Sequence, residues 1–203
     1  MKAYYYVSDS RRIRTDKYRF RADKARSLGV ELLISYGLME NGIYPEPSGY
    51  RFSYTEKGKP YLTGVGELYF NASHSGIYTV CAFSHSEIGC DIQEHDVKSH
   101  GLDVARRFFT NEEYEELKVL EPKKAMRRFI HMWCIHESYG KYTGEGFTDR
   151  HDKGFEEGVS FYTADVDEDY ECVICTEGEG EHTILPAENV ISVDPAAFLS
   201  KVT

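Results

Sequence analysis

Hydrophobic residues recur at helical spacing in the first third of the chain and again after residue 100. Leu28, Leu32 and Tyr36 fall on one face of a predicted helix that we expect to end near Gly37. Further on, the spelling Thr110-Asn111-Glu112-Glu113 is typical of a capping box. A proline such as Pro122 suits a first helical turn, where its missing amide costs nothing. The pattern therefore predicts helices over Lys24–Tyr36, over residues 103–109, from Thr110 onward, and over Pro122–Tyr142.

Short runs of β-branched and aromatic residues, separated by turn residues, predict strands. They cover Tyr50–Tyr54, Leu68–Ala72, Tyr78–Ser84, Ile88–Gln93, Val159–Asp165, Asp169–Thr176, His182–Leu185 and Val190–Val193. Only short turns separate the three strands between residues 68 and 93, so we expect them to form an antiparallel meander.

The two halves of the chain resemble each other faintly. Ser53–Gly58 is echoed by Lys141–Gly146, and Tyr78–Phe83 by Tyr170–Cys175. A helix followed by a hairpin-rich stretch, occurring twice, suits an α+β fold with antiparallel sheets and a pseudo-twofold relation between its halves. We expect the halves to be residues 1–97 and 98–203, with a cleft between them.

Composition narrows the classes of partner. The 203 residues carry 24 Lys and Arg against 34 Asp and Glu, a net charge of −10, which argues against binding to nucleic acid or anionic lipid. The chain has no apolar run of the ~18 residues that a membrane span needs and no signal peptide at its start, so we expect a cytoplasmic protein. Its five cysteines suit reduced, buried thiols.

The charge is unevenly spread along the chain. Residues 1–28 contain nine Lys and Arg against three Asp, whereas residues 145–181 contain thirteen Asp and Glu against two Lys and Arg. The basic start of the chain is therefore the part suited to holding an anion.

Two groups of residues could carry chemistry. Asp91 and Gln93 share one face of a predicted strand, where a carboxylate could bind a hard cation such as Mg²⁺. Trp133, Glu137 and Lys141 lie four residues apart along one helix stripe. Both patterns also have ordinary explanations, a turn residue at a strand end and a solvated ion pair beside a core tryptophan.

Small hydrogen-bonding residues end the strand before Gly76, in the run Asn71-Ala72-Ser73-His74-Ser75. Such a run can hold a phosphate or simply make a turn. A Ser73–His74 dyad for acyl transfer is disfavoured, because neighbouring residues on a strand point to opposite sides. For the same reason, Cys172 and Cys175 are expected to be buried strand residues rather than half of a zinc or redox site.

Taken in order, five motifs resemble those of the 4′-phosphopantetheinyl transferases of the surfactin-synthetase-activating type. They are Gly58-Lys59-Pro60, Phe70–Ser75, Ile88–Gln93, Arg107–Thr110 and Trp133–Lys141. The resemblance implies a monomer with coenzyme A between two similar halves. It also implies that the phosphopantetheine arm of coenzyme A moves to a serine of an acyl or peptidyl carrier protein, that Mg²⁺ bridges the pyrophosphate, and that adenosine 3′,5′-bisphosphate is released.

The resemblance also implies roles for individual residues. Asp91 and Glu137 match magnesium ligands, with Gln93 at a third ligand position, and Lys141 matches a lysine that contacts the pyrophosphate. The groups that match coenzyme A-binding positions are Arg11, Arg14, Ser27, Lys59, Ser73 and His74. Catalysis would rest on the metal and Lys141, with Glu137 or Glu113 taking the proton of the carrier serine.

The chain departs from the family pattern at two positions. Gln93 stands where many members have a third acidic ligand, and His136 replaces the usual lysine before Glu137. We expect the second change to alter substrate contacts or local charge. Two alternatives follow: a catalytically weakened protein that binds coenzyme A or a carrier, and a magnesium-dependent phosphohydrolase that uses Asp91 and Glu137.

Overall fold

The structure is a computed structural model that describes residues 4–9, 21–44, 50–64, 66–95, 101–147, 154–178, 182–184 and 190–194. Arg11 and Arg14 lie outside the described residues. The strands are β1 (Tyr4–Asp9), β2 (Phe52–Tyr54), β3 (Pro60–Leu62), β4 (Tyr69–Ser75), β5 (Tyr78–Ser84), β6 (Ile88–Glu94), β7 (Val159–Thr163), β8 (Tyr170–Glu177), β9 (His182–Ile184) and β10 (Val190–Ser192). The helices are α1 (Arg21–Glu40), α2 (Leu102–Phe108), α3 (Asn111–Lys118) and α4 (Pro122–Thr143). These elements confirm a fold of mixed helix and sheet.

The first four-stranded sheet has the order β10-β1-β5-β4, and only its β10–β1 pair is parallel. Helix α1 covers one face, where Leu33 and Leu38 pack with Phe83 in an apolar core. The helix runs past Gly37, its predicted end. A Cβ atom at Gly37 would collide with the ring of Phe83, so this glycine allows the helix to lie close to the sheet.

The second sheet has the order β6-β8-β7-β9, with a parallel β7–β9 pair. Helix α4 packs on it through a core that includes Phe129, Met132 and Val173. The predicted meander of β4, β5 and β6 is wrong for its third strand, because β6 pairs with β8. Of these three strands, only β4 and β5 pair with each other. Cys172 and Cys175 are buried in different clusters, as alternation predicts.

The two sheets meet through a third apolar cluster. Val80 and Ala82 of β5 pack there against Ile88, Cys90 and Ile92 of β6. Polar contacts join the neighbouring strands β4 and β6, and one of them is a hydrogen bond of 2.9 Å from the amide of Cys90 to Oδ1 of Asn71. The packing places the end of β4 beside the end of β6, where the candidate site lies.

The proposed halves do not coincide with the sheets. Strand β6 precedes residue 97 but belongs to the second sheet, and β10 follows it but belongs to the first. The boundary at residue 97 stays a prediction. No helix within the described residues is both long enough and apolar enough to cross a bilayer.

Candidate active site

An open cleft of about 1100 Å³ lies where the two sheets and α4 meet. The residues that line it come from α1, the β2–β3 hairpin and the segment before it, β4, β6 and α4. Among them are Ser27 of α1, then Tyr50, Phe52, Tyr54, Lys57 and Lys59, then Asn71, Ser73 and His74 of β4, Asp91 and Gln93 of β6, and Glu137 and Lys141 of α4. The cleft thus brings together most of the site residues that the sequence predicts.

Asp91 is the centre of a buried polar network on one side of the cleft. It is only 1% exposed, and its Oδ1 accepts hydrogen bonds from Ser73 Oγ at 2.8 Å and from Lys141 Nζ at 2.6 Å. Lys141 Nζ also donates to Ser73 Oγ at 2.9 Å, and Gln93 Nε2 donates to Asp91 Oδ2 at 3.0 Å. The carboxylate is therefore held in one orientation by three neighbours.

Strand alternation and one glycine bring Asp91 to α4. Ile88, Cys90 and Ile92 face the core between the sheets, so Asp91 faces the other side, where α4 packs. The crossing is close at Gly89, because a Cβ atom there would collide with the backbone of α4. Glu137 and Lys141, one helical turn apart, both line the cleft at this crossing.

The charged groups of the cleft shift one another's titration. Burial and the nearby Asp91 carboxylate raise the pKa of Glu137, while Lys141 acts in the opposite direction. Burial disfavours the ammonium form of Lys141, but the combined effect of its neighbours, chiefly Asp91 with Cys90 and Glu137, raises the pKa of Lys141 above its ordinary value. Lys141 therefore remains charged, and two carboxylates share one ammonium group.

Those carboxylates fit a hard divalent cation. Asp91 and Glu137 both line the cleft and offer carboxylate oxygen atoms, the kind of ligand that Mg²⁺ prefers. Within the described residues, no group of three or more His, Cys, Asp or Glu side chains could hold a metal ion. A cation here would take the rest of its ligands from an amide, water or the substrate.

The predicted coenzyme A-binding residues have different surroundings. Ser27 and His74 are exposed and line the cleft, whereas Ser73 is buried in the Asp91 network. Lys59 also lines the cleft, but its ammonium group donates to protein acceptors at the end of α4 and the start of β6. The binding roles of these residues stay predictions.

Glu113 lies away from the cleft lining. It closes the capping box of α3 with Thr110, as the sequence predicts, and both of its carboxylate oxygens lie 3.0 Å from Nε2 of His136. His136 is 3% exposed and stacks on Phe109. His136 is therefore held between Glu113 and Phe109, and its effect on substrate contacts or local charge stays a prediction.

The aromatic side of the cleft was not predicted from the sequence. Tyr50, Phe52 and Tyr54 line it, and Tyr54 is 68% exposed. The sequence feature that could have indicated it is the alternation of these aromatic residues just before the Gly58-Lys59-Pro60 turn, which is typical of a strand with one aromatic face. The sequence alone does not show what such a face contacts, so no function could be assigned to it.

Comparison with known proteins shows the family of this chain. The family profile "4′-phosphopantetheinyl transferase, N-terminal" matches residues 1–86, and the profile "4′-phosphopantetheinyl transferase superfamily" matches residues 87–184. A 4′-phosphopantetheinyl transferase of Bacillus pumilus is 31% identical over 199 residues, which cover 98% of this chain and 79% of that relative.

A 4′-phosphopantetheinyl transferase of Bacillus subtilis is 34% identical over 148 residues, or 70% of this chain. That match spans 62% of the Bacillus subtilis protein, which is less than two thirds of its length. The match to the Bacillus pumilus protein nevertheless extends over nearly the whole of this chain. The chain therefore belongs to the 4′-phosphopantetheinyl transferase superfamily.

Proposed function

We propose that this protein transfers the 4′-phosphopantetheine arm of coenzyme A to a serine of an apo acyl or peptidyl carrier protein and releases adenosine 3′,5′-bisphosphate. The observation that carries the proposal is the Ser73–Asp91–Lys141 network in a cleft that Glu137 also lines. It combines a cation for phosphate with carboxylates for a metal, in a chain of the transferase superfamily.

The donor set of the cleft supports Mg²⁺ as the metal. Asp91 and Glu137 would hold it, and the side-chain oxygen of Gln93 is available because the amide nitrogen donates to Asp91. When bound, Mg²⁺ would neutralise charge on the pyrophosphate of coenzyme A.

The side chains of the protein supply the remaining chemistry. Lys141 stays protonated and can stabilise the negative charge that grows on the leaving phosphate as the carrier serine attacks. Glu137 lines the cleft, whereas Glu113 is part of the capping box of α3 and does not line the cleft. We therefore assign to Glu137 the role of accepting the proton of the carrier serine. Ser27, Lys59 and His74, with Arg11 and Arg14, remain the candidates for contacts to coenzyme A.

The proposal includes two similar halves, residues 1–97 and 98–203, related by a pseudo-twofold axis. The sheet pattern supports the pseudo-twofold relation, because each sheet has one parallel pair at an edge and two antiparallel pairs. It does not support the boundary at residue 97, because β6 and β10 each belong to the sheet of the other half. One long helix covers each sheet, α1 on the first and α4 on the second. Coenzyme A would lie in the cleft between the two halves.

The same proposal covers location and partners. We place the protein in the cytoplasm as a monomer, with coenzyme A and a carrier protein as its partners and without nucleic acid or membrane. The net charge of −10 supports the exclusion of polyanions, and it requires an acidic carrier to dock on a local basic or apolar patch.

Intact mass spectrometry of a panel of apo carriers, incubated with coenzyme A and Mg²⁺, tests the function. We expect one carrier to gain the mass of a phosphopantetheine group with the unchanged protein, and none to do so with Asp91→Ala. Asp165→Asn, at an exposed position outside the cleft lining, is the matched control and should retain the activity.

Two other outcomes would contradict the proposal. Binding of coenzyme A without any mass gain across the panel would favour the catalytically weakened binding protein. Release of adenosine 3′,5′-bisphosphate in the absence of a carrier would favour the phosphohydrolase.

A further inference from the structure

The ammonium group of Lys59 lies at a junction of three elements. It donates to Glu87 Oε2 at 2.5 Å, to the carbonyl oxygen of Tyr142 at 2.7 Å and to that of Ile88 at 3.3 Å. A lysine has three N–H donors, so these three acceptors use all of them. The side chain is only 11% exposed although the residue lines the cleft.

The acceptors identify what Lys59 connects. Tyr142 belongs to the last turn of α4, whose carbonyl groups lack partners within the helix and form its negative end. Ile88 is the first residue of β6. Lys59 itself comes just before β3, and its amide is held by Thr55 Oγ1 at 3.0 Å. One cation therefore links the β2–β3 turn, the end of α4 and the start of β6.

That link lies close in sequence to the groups of the candidate active site. Lys141 directly precedes Tyr142, and Asp91 lies three residues after Ile88 on the same strand. The contact of 2.6 Å between Lys141 Nζ and Asp91 Oδ1 depends on how α4 sits against β6. An ammonium group that holds the ends of both elements also fixes this relative position.

We propose that Lys59 is a positioning residue, which sets the geometry of Lys141 and Asp91 by joining α4 to β6, rather than a phosphate ligand of coenzyme A. The proposal rests on the proposed transferase function. It differs from the role that the resemblance implies for this lysine, and the two roles predict different effects of removing the ammonium group.

Lys57 provides a matched control on the same turn. It also lines the cleft, and it pairs with Glu145 at 2.6 Å, but the two side chains are 58% and 52% exposed. Exposed ion pairs contribute little to stability. Lys57→Met therefore removes the same charge from the same region without breaking the link between α4 and β6.

The first measurement compares kcat and KM for coenzyme A in Lys59→Met, Lys57→Met and the unchanged protein. We expect kcat of Lys59→Met to fall about tenfold or more, because Lys141 and Asp91 lose their alignment, while KM changes less than about threefold. We expect Lys57→Met, which leaves the link between α4 and β6 intact, to keep kcat within about threefold, whatever its effect on KM. A phosphate ligand would instead raise KM about tenfold or more with kcat retained, and this result would overturn the proposal.

The second measurement needs no transferase activity. Loss of the link should lower the midpoint of thermal unfolding by about 3–10 °C in Lys59→Met and by less than about 2 °C in Lys57→Met. Calorimetry should show coenzyme A binding to Lys59→Met within about threefold of normal. Unchanged thermal stability, or a large loss of coenzyme A affinity, would overturn the proposal even if no carrier were ever modified.

Two further variants separate positioning from general stabilisation. Lys59→Arg keeps a cation at the helix end and should recover part of kcat, and it serves in place of Lys59→Met if that variant does not fold. In a cycle with Glu87→Gln, the two losses of stability should be less than additive, because both remove the same contact. A normal kcat in Lys59→Met together with a lowered unfolding midpoint would show a merely structural role and overturn the proposal.

Discussion

The contact between Lys141 and Asp91 can be tested by removing each partner separately and both together. Lys141→Met keeps the length of the side chain without its charge, and Asp91→Asn keeps the shape of the carboxylate without its charge. Asp91 is 1% exposed, and Lys141 Nζ lies 2.6 Å from its Oδ1. Lys141→Met therefore leaves the buried carboxylate of Asp91 without its counter-ion, and Asp91→Asn leaves the partly buried ammonium group of Lys141 without its hydrogen-bonded carboxylate.

The distance and the burial of the two groups determine how much each single change should lower the free energy of unfolding. At 2.6 Å and an effective dielectric constant of ~20, the attraction is about 6 kcal/mol, and the cost of removing both groups from water offsets much of it. Losing one partner of a buried pair typically costs about 3–5 kcal/mol. Because the Lys141 side chain is 27% exposed and Asp91 keeps its bonds to Ser73 and Gln93, we expect about 2–4 kcal/mol for each single change.

Urea unfolding of the four proteins at neutral pH, with a chelator present, measures these losses. The double variant should be more stable than the sum of the single losses predicts, with a coupling free energy of about 1–3 kcal/mol. Additive losses, within about 0.5 kcal/mol, would refute the reasoning, because they would mean that neither charge depends on the other.

Two further predictions concern the position of α4 and its neighbour α3. Gly89→Ala should cost about 2–3 kcal/mol in urea unfolding, because its Cβ would collide with the backbone of Ser138. Gly101→Ala, where no atom lies within 4 Å, should cost less than about 1 kcal/mol, and equal losses would contradict the argument. Burial raises the pKa of Glu113, but His136 and the hydrogen bonds from Thr110 together outweigh burial and lower it, so the contribution of Glu113 to stability is present above the ordinary glutamate range and disappears as pH falls through the lowered pKa. Glu113→Gln should accordingly be less stable than the unchanged protein at pH 7, and this difference should disappear only as pH falls through the lowered pKa, whereas a difference independent of pH would contradict the argument.

Local signals in the sequence predict most of the elements. The capping box at Thr110 and the proline at residue 122 mark helix starts that the structure confirms within a residue. The alternation in Ile88–Gln93 also places Asp91 on the face opposite Cys90 and Ile92, as observed. These predictions are correct because the features depend only on neighbouring residues along the chain.

Features set by distant contacts could not be predicted in the same way. Gly37 looks like a helix end, but the ring of Phe83 makes it an interior position of α1. Strand β6 follows β5 after a short turn, yet it pairs with β8, more than seventy residues later. Strand β1 was missed because its tyrosines precede a basic segment, and its partners β5 and β10 are far along the chain.

In the candidate site, too, local motifs could be predicted from the sequence and contacts between distant residues could not. Motif spacing predicts Asp91, Glu137 and Lys141 as site residues, and in the structure all three line one cleft. Their roles stay predictions. The use of Lys59 as a link between α4 and β6 could not be predicted, because its acceptors Glu87 and Tyr142 lie 28 and 83 residues away. A lysine after a turn has the same local sequence whether it binds a phosphate or a carbonyl group.

Three groups of the Asp91 network come from different layers of the molecule. Ser73 comes from the first sheet, Asp91 from the second sheet and Lys141 from α4, and all three meet within 2.9 Å contacts. No single element can fix such a site, so its geometry depends on how the sheets pack on each other and on how α4 packs on the second sheet. Buried residues that do not line the cleft, such as Val80 and Ile92 between the sheets, are thus also part of what positions the charged groups. The geometry of the site therefore depends on packing behind the cleft as well as on the residues that line it.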